Sequence, residues 1–100
     1  MKSGTLPALW EIVREIPKGK VMSYGDVGKL LPNPCSGFLV GRWMAQAPDG
    51  VPWWRVVAQS GNLPIGKRGY ELAEKQAQKL KREGVRFLRP GLIDMEKHRL

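Results

Sequence analysis

Residues 51–57 read Val51-Pro52-Trp53-Trp54-Arg55-Val56-Val57: two adjacent tryptophans between a proline and an arginine, followed by a β-branched pair. Tryptophan is the largest apolar side chain, and its one polar group is a ring N–H that can only donate. On an extended segment successive side chains alternate, so the two rings are expected on opposite faces. One would then fill the core while the other lines a surface or a cleft. Two core tryptophans beside a strand is the plainer alternative, and the stretch alone leaves both open.

Upstream, Ser36 is placed to open a short helix that carries Val40, Trp43, Met44 and Ala47 inward and stops before Pro48. Before it, Ser23-Tyr24-Gly25-Asp26 reads as a variant capping box, with Val27, Leu30 and Leu31 buried and Pro32-Asn33-Pro34 as the break. Two short helices about a tight turn form a helix-turn-helix pattern, though many helix pairs look alike. Nearer the N-terminus, Leu6, Leu9, Trp10, Val13 and Ile16 recur as one face of an amphipathic helix, capped by Thr5 and ended by Pro17. Downstream, 56–59 reads as a strand, Ser60-Gly61 as a turn, and 62–65 as a loosely paired return that Pro64 keeps off a central position. A basic loop at 66–69 leads into a helix over 70–83, with Leu72, Ala73, Ala77 and Leu80 inward and Gly84 as its stop. Residues 85–88 read as a last strand.

Lysine and arginine outnumber aspartate and glutamate by 17 to 9, a formal charge of +8. In so small a domain this excess suits a polyanionic partner, because neutralising phosphates releases condensed counterions. A solvated basic surface would look the same, and charge sign alone does not separate DNA, RNA and anionic membrane. With 42% hydrophobic and 26% charged residues among 100, the composition is that of a folded domain with one modest core. A single domain over 1–100 is expected, its core at about 5–88 and a loose polar tail at 89–100. No apolar run is long enough to span a bilayer, and Met1–Gly4 has no leader character, so a cytoplasmic monomer without membrane contact is expected, nucleoid-associated if bacterial. A single cysteine, Cys35, rules out an internal disulfide, and the single histidine, His98, lies far from it in sequence. Neither metal-ligand spacing nor a Cys/His pair is present, so no cofactor is expected.

Four motifs then occur in order: Ile16-Pro17-x-Gly19-x-Val21-x-Ser23-Tyr24-Gly25, Val40-Gly41-Arg42-x-Met44, Pro52-x-x-Arg55-Val56-Val57 and Glu83-Gly84-Val85. Together they resemble the DNA-binding domain of the O6-alkylguanine-DNA alkyltransferases from about Leu6 to Leu88, and the ordered set is more specific than any one of them. The resemblance implies a mainly α fold with a small β component, a helix-turn-helix or winged-helix-like domain of the alkyltransferase C-terminal type. In that family the third motif reads Pro-Cys-His-Arg-Val. The cysteine accepts the alkyl group, and a histidine with a glutamate behind it generates the thiolate. Here Trp53 and Trp54 stand at those two positions, and Glu83 is kept with nothing to orient. An indole has neither thiolate nucleophilicity nor a group that exchanges protons near neutral pH, so no catalytic residue is expected. A tryptophan at the cysteine position is similar to the alkyltransferase-like proteins, which bind alkylated guanine without repairing it and pass the lesion to nucleotide excision repair. Their usual Pro-Trp-His-Arg is broken at Trp54, which is expected to pack in the core.

The resemblance implies double-stranded DNA carrying O6-alkylguanine as the partner, with nucleotide excision repair proteins beyond it. The implied DNA-binding set is Ser23, Tyr24, Gly25, Phe38, Gly41, Arg42 and Arg55. The implied lesion pocket is Tyr24, Met44, Trp53, Val56, Ile65, Lys67 and Arg68, with 65–68 as its lid. Such proteins enter the minor groove and rotate the base out of the stack. Tyr24 would crowd the phosphate of the flipped nucleotide, and Gly41 would let the recognition helix approach the backbone, unless it serves only helix packing. The family's arginine finger falls at Phe38, which can wedge between bases but cannot hydrogen-bond an orphaned cytosine. Arg42, four residues on, can reach toward the same gap. The alternative buries Phe38 in the core and leaves Arg42 on a phosphate. Two other functions stay open: a helix-turn-helix module for undamaged sequence or another lesion, and an alkyltransferase with Cys35 as a relocated acceptor.

Overall fold

The computed structural model describes residues 5–66 and 68–100, and at its centre is a parallel ribbon of two very short strands. The chain runs α1 (Thr5–Arg14), β1 (Met22–Ser23), α2 (Tyr24–Leu30), α3 (Gly37–Met44), a 3-10 turn at Trp53–Arg55, β2 (Val56–Val57), α4 (Glu71–Arg82), β3 (Phe87–Arg89), β4 (Leu92–Ile93) and α5 (Met95–His98). The architecture is mainly α with a small β component, as the resemblance implies. Among the described residues no helix is long and apolar enough to cross a membrane.

In the ribbon Met22 stands opposite Val56 and Ser23 opposite Val57. Strand side chains alternate between faces, and here each face meets its own core. Met22 and Val56 join Leu9, Val13, Val27 and Val40 in a cluster under α1, α2 and α3. Val21 and Val57 join Leu63, Ala77, Leu80, Val85 and Ile93 in a second cluster under α4 and the C-terminal hairpin. The expected hairpin after Val57 does not form. β2 spends its ladder on β1, and the segment meant to return, at Asn62, bridges Leu92 instead.

α2 and α3 form the helix-turn-helix. Ser23 caps α2 by accepting from the Asp26 N–H at 3.1 Å, and Ser36 caps α3 by accepting from the Leu39 N–H at 3.3 Å. The capping box is not closed from its other side, because the Asp26 carboxylate accepts from Arg99 instead. Gly28 permits the tight turn between the helices: a Cβ there would overlap the carbonyl oxygen of Cys35 and crowd Val40. Leu31 leaves the helix with ψ of 151° and turns into the core, so Leu30, expected inside, is exposed.

Two further expectations are corrected. Leu72 is 61% exposed, because the inward stripe of α4 is Ala73, Gln76, Ala77 and Leu80 at helical spacing. The tail past residue 89 is not loose. β3 and β4 pair as a hairpin, and α5 returns the chain to the ribbon, where the Val21 N–H donates to His98 O and the Leu100 N–H to Val21 O. His98 is buried. Its Nδ1 lies 2.8 Å from Gly19 O, an acceptor, so Nδ1 carries the proton while Nε2 accepts from the Arg86 N–H at 2.9 Å. The lone histidine is thus a latch for the C-terminus.

Gly28→Ala is expected to destabilise the fold by about 1–3 kcal/mol through overpacking. Gly41→Ala, whose Cβ would meet nothing closer than Tyr24 Cδ1 at 4.0 Å, is expected to stabilise it by about 0.5–1 kcal/mol through helix propensity. Urea unfolding of the two variants beside wild type checks both signs.

Candidate nucleic-acid interface

Trp53 and Trp54 do not lie on an extended segment. Pro52 leads into a single 3-10 turn, closed by the Arg55 N–H donating to Pro52 O at 3.1 Å. The two rings therefore touch edge to face, with centroids 5.9 Å apart and planes at 85°. They still part company. Trp53 packs against the first core and Trp54 against the second, one ring on each side of the ribbon's edge.

Trp54 is not simply packed. Its Nε1–H donates to Glu83 Oε2 at 3.0 Å, and the Lys79 ammonium stands 4.7 Å from the ring centroid. Glu83, expected to have nothing to orient, is the acceptor for three donors. Arg55 gives it Nε–H to Oε1 at 2.9 Å and Nη2–H to Oε2 at 2.6 Å, and its Nη1–H goes to Ile16 O at 2.8 Å. Arg55 is only 8% exposed. Its guanidinium is thus occupied inside the protein, which corrects its place in the DNA-binding set. Gly84, with φ of +88°, ends α4 so that Glu83 faces this arginine. Burial pushes the Glu83 carboxyl up, but the hydrogen bonds from Arg55 and Trp54 and the charges of Arg55 and Lys18 outweigh it and hold the group below its ordinary value.

Trp53 lines a cavity of about 240 Å³, below the ~300–1,000 Å³ usual for drug-sized ligands and suited to a flat group of one or two rings. Tyr24, Met44 and Trp53 from the expected pocket meet in it, together with Gly41 of α3. Burial pushes the Tyr24 hydroxyl up, so it stays protonated and can donate. The other expected members do not line it. Val56 is wholly inside the first core, Ile65 packs against the second core and faces a separate depression beside α4, and Arg68 is exposed elsewhere on the loop. Lys67 lies outside the described residues. The wall that replaces them is Pro64, Tyr70, Leu72, Ala73 and Gln76, with Ala45 beside them. Periodicity placed Leu72 and Ala73 in the core and carried no signal for Gln76. The cue was Tyr70 and Leu72 at the start of α4, large apolar residues before the helix is fully covered.

Of the expected DNA-facing set, Ser23 is buried with its hydroxyl spent on the α2 cap, and Gly25 lies beneath Gly37 in the contact between α2 and α3. Phe38 is 74% exposed, which removes the alternative that it is core. It lies one turn from Gly41 on the same face of α3, and the Arg42 guanidinium lies 6.0 Å from its ring centroid. A wedge, a cation and the cavity mouth therefore share one side of the molecule. Cys35 sits in the turn between α2 and α3 and is not among the cavity's lining residues. Among the described residues no cluster of His, Cys, Asp and Glu could hold a metal ion.

Comparison with known proteins identifies the family and the fold. The family model described as 6-O-methylguanine DNA methyltransferase, DNA binding domain, matches residues 7–85. The chain is 39% identical over 93 residues to a DNA base-flipping protein of Escherichia coli, covering 91% of this chain and 70% of that one. It is 34% identical over 87 residues to alkyltransferase-like protein 1 of Schizosaccharomyces pombe, covering 84% and 79%. In three dimensions it is similar to S. pombe Atl1 solved with damaged DNA containing O6-carboxymethylguanine, with a TM-score of 0.83 at 24% identity over 100% of this chain and 97% of that one.

Since the folded-state carboxyl of Glu83 is depressed, its stabilisation is complete above the ordinary value of 4.5 and is lost as pH falls through the lower folded value. Wild type is expected to lose urea resistance over that acidic interval. Glu83→Gln should lose less there, while starting about 3–5 kcal/mol less stable at pH 7 because Arg55 is left without its anion. Equal pH slopes for the two proteins would remove Glu83 as the titrating anchor.

Proposed function

This chain belongs to the family of the 6-O-methylguanine DNA methyltransferase DNA-binding domain, and from that premise we propose that it is a non-catalytic reader of O6-alkylguanine in double-stranded DNA. The damaged nucleotide is turned out through the minor groove and stacked in the cavity beside Trp53 and Tyr24. The observation that carries this reading is Trp53 itself. It stands in the wall of a base-sized cavity, at the place where the resemblance puts the alkyl-accepting cysteine.

The neighbouring replacement supports the same conclusion. Trp54 keeps a ring N–H toward Glu83, so it preserves the local hydrogen bond, but an indole has no lone pair with which to take a proton from a nucleophile. What remains is binding. Stacking a base on aromatic walls contributes about 1–3 kcal/mol, enough to offset part of the few kcal/mol needed to unstack it. Phe38 is placed to occupy the gap in the duplex as an apolar wedge, with Arg42 beside it for the phosphate or the orphaned base. The names of the relatives, a base-flipping protein and an alkyltransferase-like protein, support this use of the fold. A reader leaves the lesion chemically unchanged, so its removal falls to other proteins, a role for which nucleotide excision repair is the expected route.

Titration of matched duplexes with and without one O6-methylguanine is expected to show tighter binding to the lesion across a range of salt. Trp53→Ala and Tyr24→Ala should each cost about 5- to 150-fold in lesion affinity, the equivalent of one stacking contact, and much less on undamaged duplex. Equal affinity for both duplexes, or a sequence consensus recovered from undamaged DNA by selection, would sink the reading in favour of an ordinary helix-turn-helix module.

A further inference from the structure

Gln76 is a buried polar residue in the cavity wall whose bonding is incomplete among the described residues. It lies on the inward stripe of α4, is 8% exposed, and lines the cavity next to Trp53. Its Nε2 donates to Trp54 O at 3.2 Å and to Val56 O at 3.1 Å. Both partners are carbonyls, which only accept, so the amide orientation is settled and both of its N–H groups are used. The oxygen, Oε1, has no donor among the described residues. A buried acceptor without a partner is costly and calls for an explanation, and a ligand that brings a donor is one. Donation from the same amide into two carbonyls also polarises that oxygen and makes it a better acceptor.

The chemistry of the proposed ligand says which donor it meets. In guanine the ring nitrogen N1 carries a proton, but alkylation of O6 fixes the ring in the form in which N1 is bare. The amino group on C2 is then the only hydrogen-bond donor left on the base. We propose that Gln76 is a specificity-determining residue of the cavity and that its Oε1 accepts a hydrogen bond from the C2 amino group of the inserted purine. This inference rests on the lesion-reader function above and adds what selects the base once inside: aromatic walls hold any flat ring, while Gln76 selects one that carries an amine at C2. The side chain is held rigidly for this role, since its nitrogen is tied to the turn that carries both tryptophans.

The test compares three duplexes that differ at one base: O6-methylguanine, O6-methylhypoxanthine, which is the same base without the C2 amino group, and guanine. Wild type is expected to bind O6-methylguanine about tenfold more tightly than O6-methylhypoxanthine, the size of one buried hydrogen bond. Gln76→Lys keeps donors for both carbonyls but removes the acceptor. It should retain a urea midpoint near wild type and bind the two methylated duplexes within about twofold of each other. The added charge raises affinity for both, so the ratio is the readout. A wild-type ratio near one overturns the inference, as does a Gln76→Lys protein that keeps the tenfold preference. Should Gln76→Lys fail to fold, Gln76→Met must lower the ratio, and a ratio left at the wild-type value overturns the inference. If wild type shows no preference for O6-methylguanine over guanine, the lesion-reader function itself fails. If that preference holds while the amine ratio is one, only the role of Gln76 is lost.

Discussion

The ion pair between Arg55 and Glu83 is the interaction on which the arrangement depends. It joins three parts of the chain that are far apart in sequence: the turn after α1 through Ile16 O, the 3-10 turn with both tryptophans, and the C-terminal end of α4. Both side chains are about 10% exposed, so each would be a costly buried charge without the other. Two-toothed geometry makes the pair directional as well as attractive. The guanidinium plane fixes the turn relative to α4, and the second lone pairs of Glu83 Oε2 are free to take the indole N–H of Trp54. Trp53 is thereby presented to the cavity, since its neighbour is pinned on the other side.

The parallel ribbon explains how a chain of 100 residues builds two small cores instead of one. Two residues per strand are too few for a sheet that stands alone. They suffice as a partition, because Met22 and Val56 face the first cluster and Val57, with Val21 just before β1, the second. The first cluster supports the helix-turn-helix and the second supports α4, and the cavity opens where the two meet, between α3 and the first turn of α4. Its walls come from separately packed units, with Gln76 and the 3-10 turn binding them together. His98 performs the matching service at the other end of the ribbon. It holds the C-terminal segment against Gly19 and Arg86 with both ring nitrogens used.

Where the family resemblance would place a thiolate and a base, this chain has two indoles. An indole can replace the donor half of a histidine but not the acceptor half. Trp54 accordingly donates its ring N–H to Glu83 and, under the proposed function, offers no base for proton transfer. Of the two indoles, Trp53 adds its aromatic surface to the cavity wall. The proposed function follows from this exchange of reactivity for contact area.

Local rules read from the sequence held where the cause was local. The caps at Ser23 and Ser36, the breaks around Pro32 and Pro48, the apolar face of α1 and the stop at Gly84 all come from residues within one or two turns of their effect. The order of the four motifs was legible too, and with it the family, because motif spacing is a property of the chain. What the sequence could not decide was which distant groups would satisfy one another. Arg55 could be read as a DNA contact or as a structural residue, since an arginine's charge is visible in a sequence and its buried partner 28 residues away is not. Residues 89–100 looked loose, since their bonds are made to Val21, Gly19 and Asp26 at the far end of the chain. Gln76 carried no signal in the sequence, and only the meeting of α4 with the tryptophan turn gave its amide two carbonyls and a cavity. Sequence determined the elements and the order of the motifs. The tertiary structure alone decided which polar groups are spent inside and which remain for a partner, because a buried hydrogen bond is assigned by proximity in space.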